Sequence, residues 1–506
     1  MTRTIRISVF SVLLVLLCAC LVFAADAPRL SVQMDAIEDG QVWSAAKLQD
    51  DNWYSKLTFN ETGLVEISSD QDIHFLYIVW DRIPGNWLLT EDAQGHTLGQ
   101  LCGQGNYLHE YVALDAPSKT VTLHMPKAGA ILCDVLCYGE GDVPADVQVW
   151  QPFYDDADML LISTHADDEH LFFGGTMPTY AGELGYKVQI AYLTHHWEQP
   201  MRPHELLDGL WTVGMTHYPV ISTFTDYYSD NLEHAKTLWD LNEVEAYEVM
   251  LLRRFKPEVV IDHDVNGEYG HGAHRLNTWV LQQAIDWAYD ANWRADETAA
   301  PGSYLEAAQK LKPFQPLKVY LHLWPENAVH MNWDKPLSHF GGKTAFEMAE
   351  AGFACHYSQT EYFKVGRRGV FDCAAFGLYF TRVGADTKLD DPDFFENITR
   401  DMWSDGPGPY VEPVVDPPDP STGSGTEGNE EETGAETDPS TGSGTEGNEE
   451  ETGAEPVEAP EPEKQPQTGS SFSRTYLPVL ITVLVVVCAA GGISLKGKKK
   501  RKKGKH

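Results

Sequence analysis

"LLISTHADDEHLFFGG", Leu160 to Gly175, decides how this chain is read. An apolar run of strand length ends abruptly in His165, Asp167, Asp168 and Glu169, then turns apolar again and reaches Gly174 and Gly175. Four ionisable groups at the end of a buried strand are costly unless something neutralises them. A metal ion does so, taking carboxylate oxygens and a neutral imidazole as ligands.

Outward from this stretch, strand and helix patterns alternate. "MLLIST" (159–164) reads as a buried strand, followed by a helix from about Leu171 to Leu184. "KVQIAYLT" is a strand, "RPHELLDGLWTVG" a helix ending at Gly214, and "YPVIST" a short strand. "LNEVEAYEVMLLRRF" is an amphipathic helix stopped before Pro257. "EVVIDHD" is a strand, "HRLNTWVLQQAIDWAY" a helix and "LKVYLHLW" a further strand. Apolar strands alternating with helices predict an α/β fold, a Rossmann-like, doubly wound and mostly parallel sheet. Such sheets bind ligands beyond the carboxyl ends of their strands.

One other strand end has the same character. "IDHDVNGEYGHGAHR", Ile261 to Arg275, brings His271 and His274 three residues apart where a loop becomes a helix. Residues i and i+3 share a helical face. Two strand ends that each deliver His and acid can converge on one crevice. For either stretch alone a structural His or a helix-capping acid competes; together they predict a shared metal site.

Upstream, residues 28–148 read as all-β. Short runs such as "GLVEISS", "FLYIVWD", "YVALD", "KTVTLHM" and "AILCDVLCYG" are separated by turn residues at sandwich spacing. The segment loosely resembles galactose-binding-like or discoidin-like sandwiches. Its aromatics, among them Trp43, Trp53, Trp80, Trp87 and Tyr107, fit a packed core better than a carbohydrate-binding face. "VPADVQVWQPFYDDAD", 143–158, reads as a linker into the second domain, which runs over 155–400.

The ends of the chain differ from this middle. Residues 1–25 read as a secretory signal, with Arg3 and Arg6 before an apolar run and small residues at Ala24 and Ala25. Residues 406–464 form an acidic Pro/Gly/Ser/Thr spacer in which "DPSTGSGTEGNEEETGAE" occurs twice. It lacks the apolar content to fold and is expected to be disordered. Residues 465–506 hold "QPQTG", an apolar transmembrane-length run over 476–495 and a basic tail. That order resembles the sorting signal of Gram-positive surface proteins, with Gln465 where Leu is usual. The resemblance implies sortase cleavage after Thr468, attachment to peptidoglycan and an extracellular, cell-wall or membrane-anchored location.

The formal net charge of -38 is unevenly placed, densest in the spacer, opposed by the basic tail and shared by an acidic folded middle, and no basic stripe points to nucleic acid. Of eight cysteines, Cys102, Cys133, Cys137, Cys355 and Cys373 fall outside the leader and the tail. An odd number cannot all pair within one chain. Cys133 and Cys137 read as strand core rather than a zinc site.

"HADDEHLFFGG" together with "YGHGAHR" resembles the PIG-L family, also called LmbE-like, of zinc-dependent N-acetylglucosaminyl deacetylases. "RPHELLDGLWTVG" and "ACHYSQT" fit as further family segments, and the resemblance covers about residues 155–385. It implies that His165, Asp168 and His274 hold Zn2+, or another divalent ion such as Fe2+. It implies that Asp167 is the general base, that His271 supports the oxyanion or protonates the leaving amine, and that the Tyr269 hydroxyl polarises the carbonyl. Two positions depart from the family pattern. Ala166 replaces a Pro, and Ala273 replaces an Asp whose influence on the neighbouring His is expected here from Asp264.

Other residues are open between two roles. Arg202 reads as a clamp for an anionic substrate group or as a structurally paired side chain. Glu169 reads as a support for a ligand imidazole or as a helix N-terminal acid. His195 and His196 are placed along the crevice, and His356 near the site without being a ligand. The expected function is a surface-anchored N-deacetylase acting on an N-acetylated amino-sugar glycan or glycoconjugate. The alternative is a glycan-binding adhesin with an inactive metal domain, against which the intact ligand set argues.

Overall fold

The computed structural model describes residues 25–91 and 99–399. The leader, the acidic spacer and the apolar tail expected from the sequence lie outside them. Among the described residues no helix is long and apolar enough to cross a membrane.

Two sheets organise the described chain. The first holds β1 (Val32–Glu38), β2 (Gln41–Ser44), β3 (Leu57–Phe59), β4 (Leu64–Trp80), β5 (Trp87–Thr90), β6 (Gln100–Cys102), β7 (His109–His124) and β8 (Ala130–Tyr138). All its pairings are antiparallel, in the order β2-β1-β4-β7-β5-β6, with β8 joining β4 to β3. "GLVEISS" and "FLYIVWD" are one strand, β4, and "YVALD" and "KTVTLHM" are one strand, β7. The polar interruptions that separate these runs in the sequence lie opposite each other. Ser68 pairs with Thr120 and Ile73 with Ser118 across a register shift, so both strands continue past a shared irregularity. Trp80 and Trp87 are core, and both indole N–H groups donate to buried Glu110, at 3.0 and 2.9 Å.

The second sheet comprises β9 (Met159–Ser163), β10 (Val188–Tyr192), β11 (Val220–Ile221), β12 (Val259–Asp262), β13 (Lys318–His322), β14 (Ala328–His330) and β15 (Ala375–Thr381). Its order is β11-β10-β9-β12-β13-β15-β14. The first five are parallel neighbours, and β15 is antiparallel to both β13 and β14. Alternate residues of one strand face opposite layers. Leu160 and Ile162 pack with the helices Leu241–Phe255 and Gly272–Tyr289, whereas Met159 and Leu161 pack with Phe172, Phe173 and Leu206. Both faces are thus buried, which is why these strands read as continuous apolar runs. From β9 the chain runs outward to β10, while β12 returns to its other side. That reversal opens a crevice at the carboxyl ends of β9 and β12.

The helices are α1 (Asp168–Leu171), α2 (Arg202–Thr212), α3 (Leu232–Ala235), α4 (Leu241–Phe255), α5 (Gly272–Tyr289), α6 (Tyr304–Gln309) and α7 (Ala345–Phe353). The helix expected over 171–184 is corrected. α1 stops at Leu171, the chain turns at Gly174 (φ 47°), and a π-helical segment runs over Pro178–Glu183. A Cβ on Gly174 would lie 2.7 Å from Cys373 Sγ, so the turn is packed as well as left-handed. The segment 143–158 is not a free linker. Trp150 is buried against Trp211 and Tyr218, and Gln148 Nε2 donates to Asp208 at 2.7 Å.

Candidate active site

β9 ends at Ser163, and the next residues turn sharply into α1. Asp167 sits at φ 133°, a strained position for a residue with a side chain. The turn is tied down on several sides. The Asp167 amide donates to Glu169 Oε2 at 2.8 Å, and the Ala166 amide donates to His196 Nε2 at 3.1 Å. Arg202, at the start of α2, donates to the Ala166 carbonyl and, at 3.1 Å, to Asp167 Oδ1. A proline at position 166 would have no amide to give. The departure at Ala166 is therefore matched by a bond to His196 that only a non-proline residue can make.

Three atoms converge beside this turn. His165 Nδ1 lies 3.0 Å from Asp168 Oδ2 and 3.1 Å from His274 Nε2, and the last two are 3.2 Å apart. Ligands held about 2.0–2.1 Å from an ion in tetrahedral array stand roughly 3.3 Å apart, so the triangle fits one face of such a site. Second contacts orient each ring. His274 Nδ1 meets Glu268 Oε2 at 2.6 Å, which leaves Nε2 with its lone pair toward the cluster. His165 Nε2 faces Asp226 Oδ1 at 3.4 Å, which does the same for Nδ1. His263 is also close, 3.7 Å from Asp168, but its Nε2 accepts the Thr164 amide at 3.0 Å and its Nδ1 meets Glu268 at 3.1 Å. It has no lone pair to spare. His165, Asp168 and His274 could therefore hold a metal.

The electrostatics point the same way. Burial works to lower both imidazoles, but the Asp168 carboxylate outweighs it and pushes His165 up to about 9. Asp168 and Glu268 together push His274 up to about 10. Asp168 and Glu268 thus make the cluster favour positive charge. Burial raises Asp167 to about 7 against the pull of Arg202. His271 caps α5 without a side-chain cap bond; burial, then His165 and His274, lower it to about 2, so the ring is neutral.

The cleft above these groups spans about 490 Å³, a space that includes open solvent at its mouth. The structure brings all the expected site residues to it: His165, Asp167, Asp168, Arg202, Tyr269 and His271 line it, and His274 lies beneath them. Burial, then Asp168, raise the Tyr269 hydroxyl, so it stays a donor, and its ring lies 5.9 Å from that of His271. Arg202 is buried and committed to the turn at Ala166 and Asp167. His196 lines the cleft, whereas His195 bonds Thr225 at 3.4 Å away from its lining.

Two supports escaped the sequence reading. Glu268 carries His263, His274 and His322, the last at 3.0 Å. Asp226 bridges His165 and His196, each at 3.4 Å. The support expected from Asp264 is corrected, since its carboxylate accepts from Asn266 at 3.3 Å and Glu268 braces the imidazole of His274 instead. Glu268 was visible within "NGEYGHGAH"; Asp226, in a loop after the two-residue β11, left no pattern to find.

Residues 160–285 match the family model PIG-L, described as GlcNAc-PI de-N-acetylase. Among curated proteins the chain is similar to 1D-myo-inositol 2-acetamido-2-deoxy-α-D-glucopyranoside deacetylase of Acidothermus cellulolyticus, 28% identical over 182 residues, covering 30% of this chain and 62% of that protein. The enzyme of the same name from Salinispora arenicola is 28% identical over 181 residues, covering 30% of this chain and 59% of that protein. The chain thus spans about three fifths of the length of these relatives. Among solved structures it is similar to N,N'-diacetylchitobiose deacetylase of Pyrococcus horikoshii, with TM-score 0.28 and 17% identity, covering 42% of this chain and 75% of that one.

Proposed function

We propose that the chain is a metal-dependent N-deacetylase acting on an N-acetylglucosamine-type amino sugar. The observation that carries this reading is the triangle of His165, Asp168 and His274 donor atoms with the buried Asp167 carboxyl beside it. The match of residues 160–285 to the family model supports it. Zinc suits the donor set, and when bound it supplies Lewis acidity and brings the pKa of its water toward neutrality.

The chain's own residues do the rest. Asp167, near 7, accepts the proton of the attacking water and returns it to the departing amine. Arg202 keeps that carboxylate aimed. The neutral His271 ring and the protonated Tyr269 hydroxyl offer donors to the acetamide oxygen as it gains charge. Among the residues lining the cleft, Arg202 is the one Lys or Arg, and it is spent on Asp167 and Ala166. Asp167, Asp168 and Asp226 surround the reacting position, which favours an uncharged sugar over a phosphorylated one. The rims formed by Tyr228, 71% exposed, and Tyr269, 48% exposed, offer ring faces for a sugar to stack on. Secretion and surface anchoring belong to the same proposal, supported by the patterns of residues 1–25 and 465–506.

Asp167→Asn separates metal binding from chemistry, because Asp167 is not a corner of the triangle. The variant is expected to retain its metal and lose about 10²-fold or more in acetate release. Turnover at the parental rate would remove Asp167 from the mechanism.

A further inference from the structure

Behind the catalytic turn lies a second set of metal-type donors that the proposed reaction does not use. Glu169 and His170 stand on α1, and His356 follows α7; all three are fully buried. Glu169 Oε2 is occupied by the Asp167 amide, but Glu169 Oε1 and both ring nitrogens of His170 and His356 have no hydrogen-bond partner. Glu169 Oε1 lies 3.4 Å from His170 Nε2 and 3.3 Å from His356 Nε2. The three groups can place one donor atom each within 4.8 Å of one another. Five unpartnered buried polar atoms are a large cost for hydrogen-bonding chemistry to leave standing. The two separations to the carboxylate are those of ligands sharing an ion, roughly 3.3 Å.

The backbone of α2 passes close beside them. A Cβ placed on Gly209 of α2 would lie 2.7 Å from His170 Nε2, 2.9 Å from His356 Nε2 and 3.1 Å from the Gly352 carbonyl oxygen of α7. A side chain at 209 would collide with both rings, so glycine there lets α2 pack directly against the two imidazoles. We propose that Glu169 Oε1, His170 Nε2 and His356 Nε2 are the protein ligands of a second divalent cation. Two nitrogens and a carboxylate suit zinc. The site is sealed from solvent, so the ion is structural and is taken up as the chain folds. It ties α1, which carries Asp168, to the segment that follows α7.

Crystals of the full chain, prepared with zinc present throughout refolding, decide this by anomalous scattering at the zinc edge. The expected result is a peak about 2.0–2.2 Å from Glu169 Oε1 and from the two Nε2 atoms, in addition to any peak at His165, Asp168 and His274. No peak among Glu169, His170 and His356 overturns the proposal, whatever the other site holds. Metal counting on the same protein checks it in solution. Brief chelation of the native protein should strip the solvent-facing site and leave one equivalent. His274→Gln should also leave one equivalent, and His356→Gln should lose the chelator-resistant one. A parent that retains no metal after brief chelation contradicts the sealed site.

Discussion

At the scale of single residues, the site depends on which nitrogen of each histidine is free. Glu268 settles this for His274 by accepting a hydrogen bond from its Nδ1–H at 2.6 Å, and Asp226 faces His165 Nε2 in the same way. Glu268 is held well below the usual carboxylate range; burial opposes this, but His263 and His274 outweigh it. Glu268→Gln keeps the shape but loses the charge that makes the His274 ring a strong donor. It is expected to weaken metal affinity about 10–100-fold, measured by chelator competition, with activity recovering at high metal concentration. Unchanged affinity would mean that Glu268 only packs. The residues of the His165, Asp168 and His274 triangle were legible in the sequence, because His and Asp crowd together just after apolar strands. Their supports were not: Asp226 is one acid among many in an acidic chain, and only the fold brings it under His165 and His196.

At the scale of elements, α2 links the two sheets. Arg202 at its start holds Asp167, and His204, two residues on, meets His109 of β7 at 2.8 Å. His109 is held in turn by Tyr77 of β4 at 3.0 Å, and Trp53 packs on both imidazoles. On its other side Glu205 accepts from Ser358. The antiparallel sheet therefore helps to position Asp167, the base of the proposed reaction. His204→Ala is expected to lower kcat about tenfold with little change in KM, because geometry at the reacting atoms is lost rather than sugar contacts. A change confined to KM would sever this link. Helix and strand periods were readable for most elements, since α4, α5 and the parallel strands follow their apolar patterns closely. The errors came where local signals lose to pairing: β4 and β7 run through polar interruptions that face each other, and Pro178 and Gly174 break the helix expected after α1.

At the scale of the whole molecule, the chain stores charge in its core. Asp134 of β8 is 1% exposed, and burial raises its carboxyl to about 7, with Asp51 and Asp50 adding to the rise. An acid whose folded pKa exceeds its unfolded value costs stability as pH rises from about 4 to 7. Asp134→Asn is expected to match the parent near pH 4 and exceed it by on the order of 1–2 kcal/mol at pH 8, read from melting curves. A difference that does not vary with pH would contradict this assignment. The buried histidines of the cleft add a larger demand, since His165 and His274 take up protons wherever no cation balances Asp168.

That demand is the centre of the account, and acetate release tests it most directly. The purified full chain is incubated with N-acetylglucosamine oligosaccharides before chelation, after chelation and after zinc is restored. Acetate release is expected to stop on chelation, return with zinc and be absent throughout in Asp167→Asn. Release that continues undiminished in the chelated protein, or no release from any N-acetylated amino sugar with zinc bound, would contradict it.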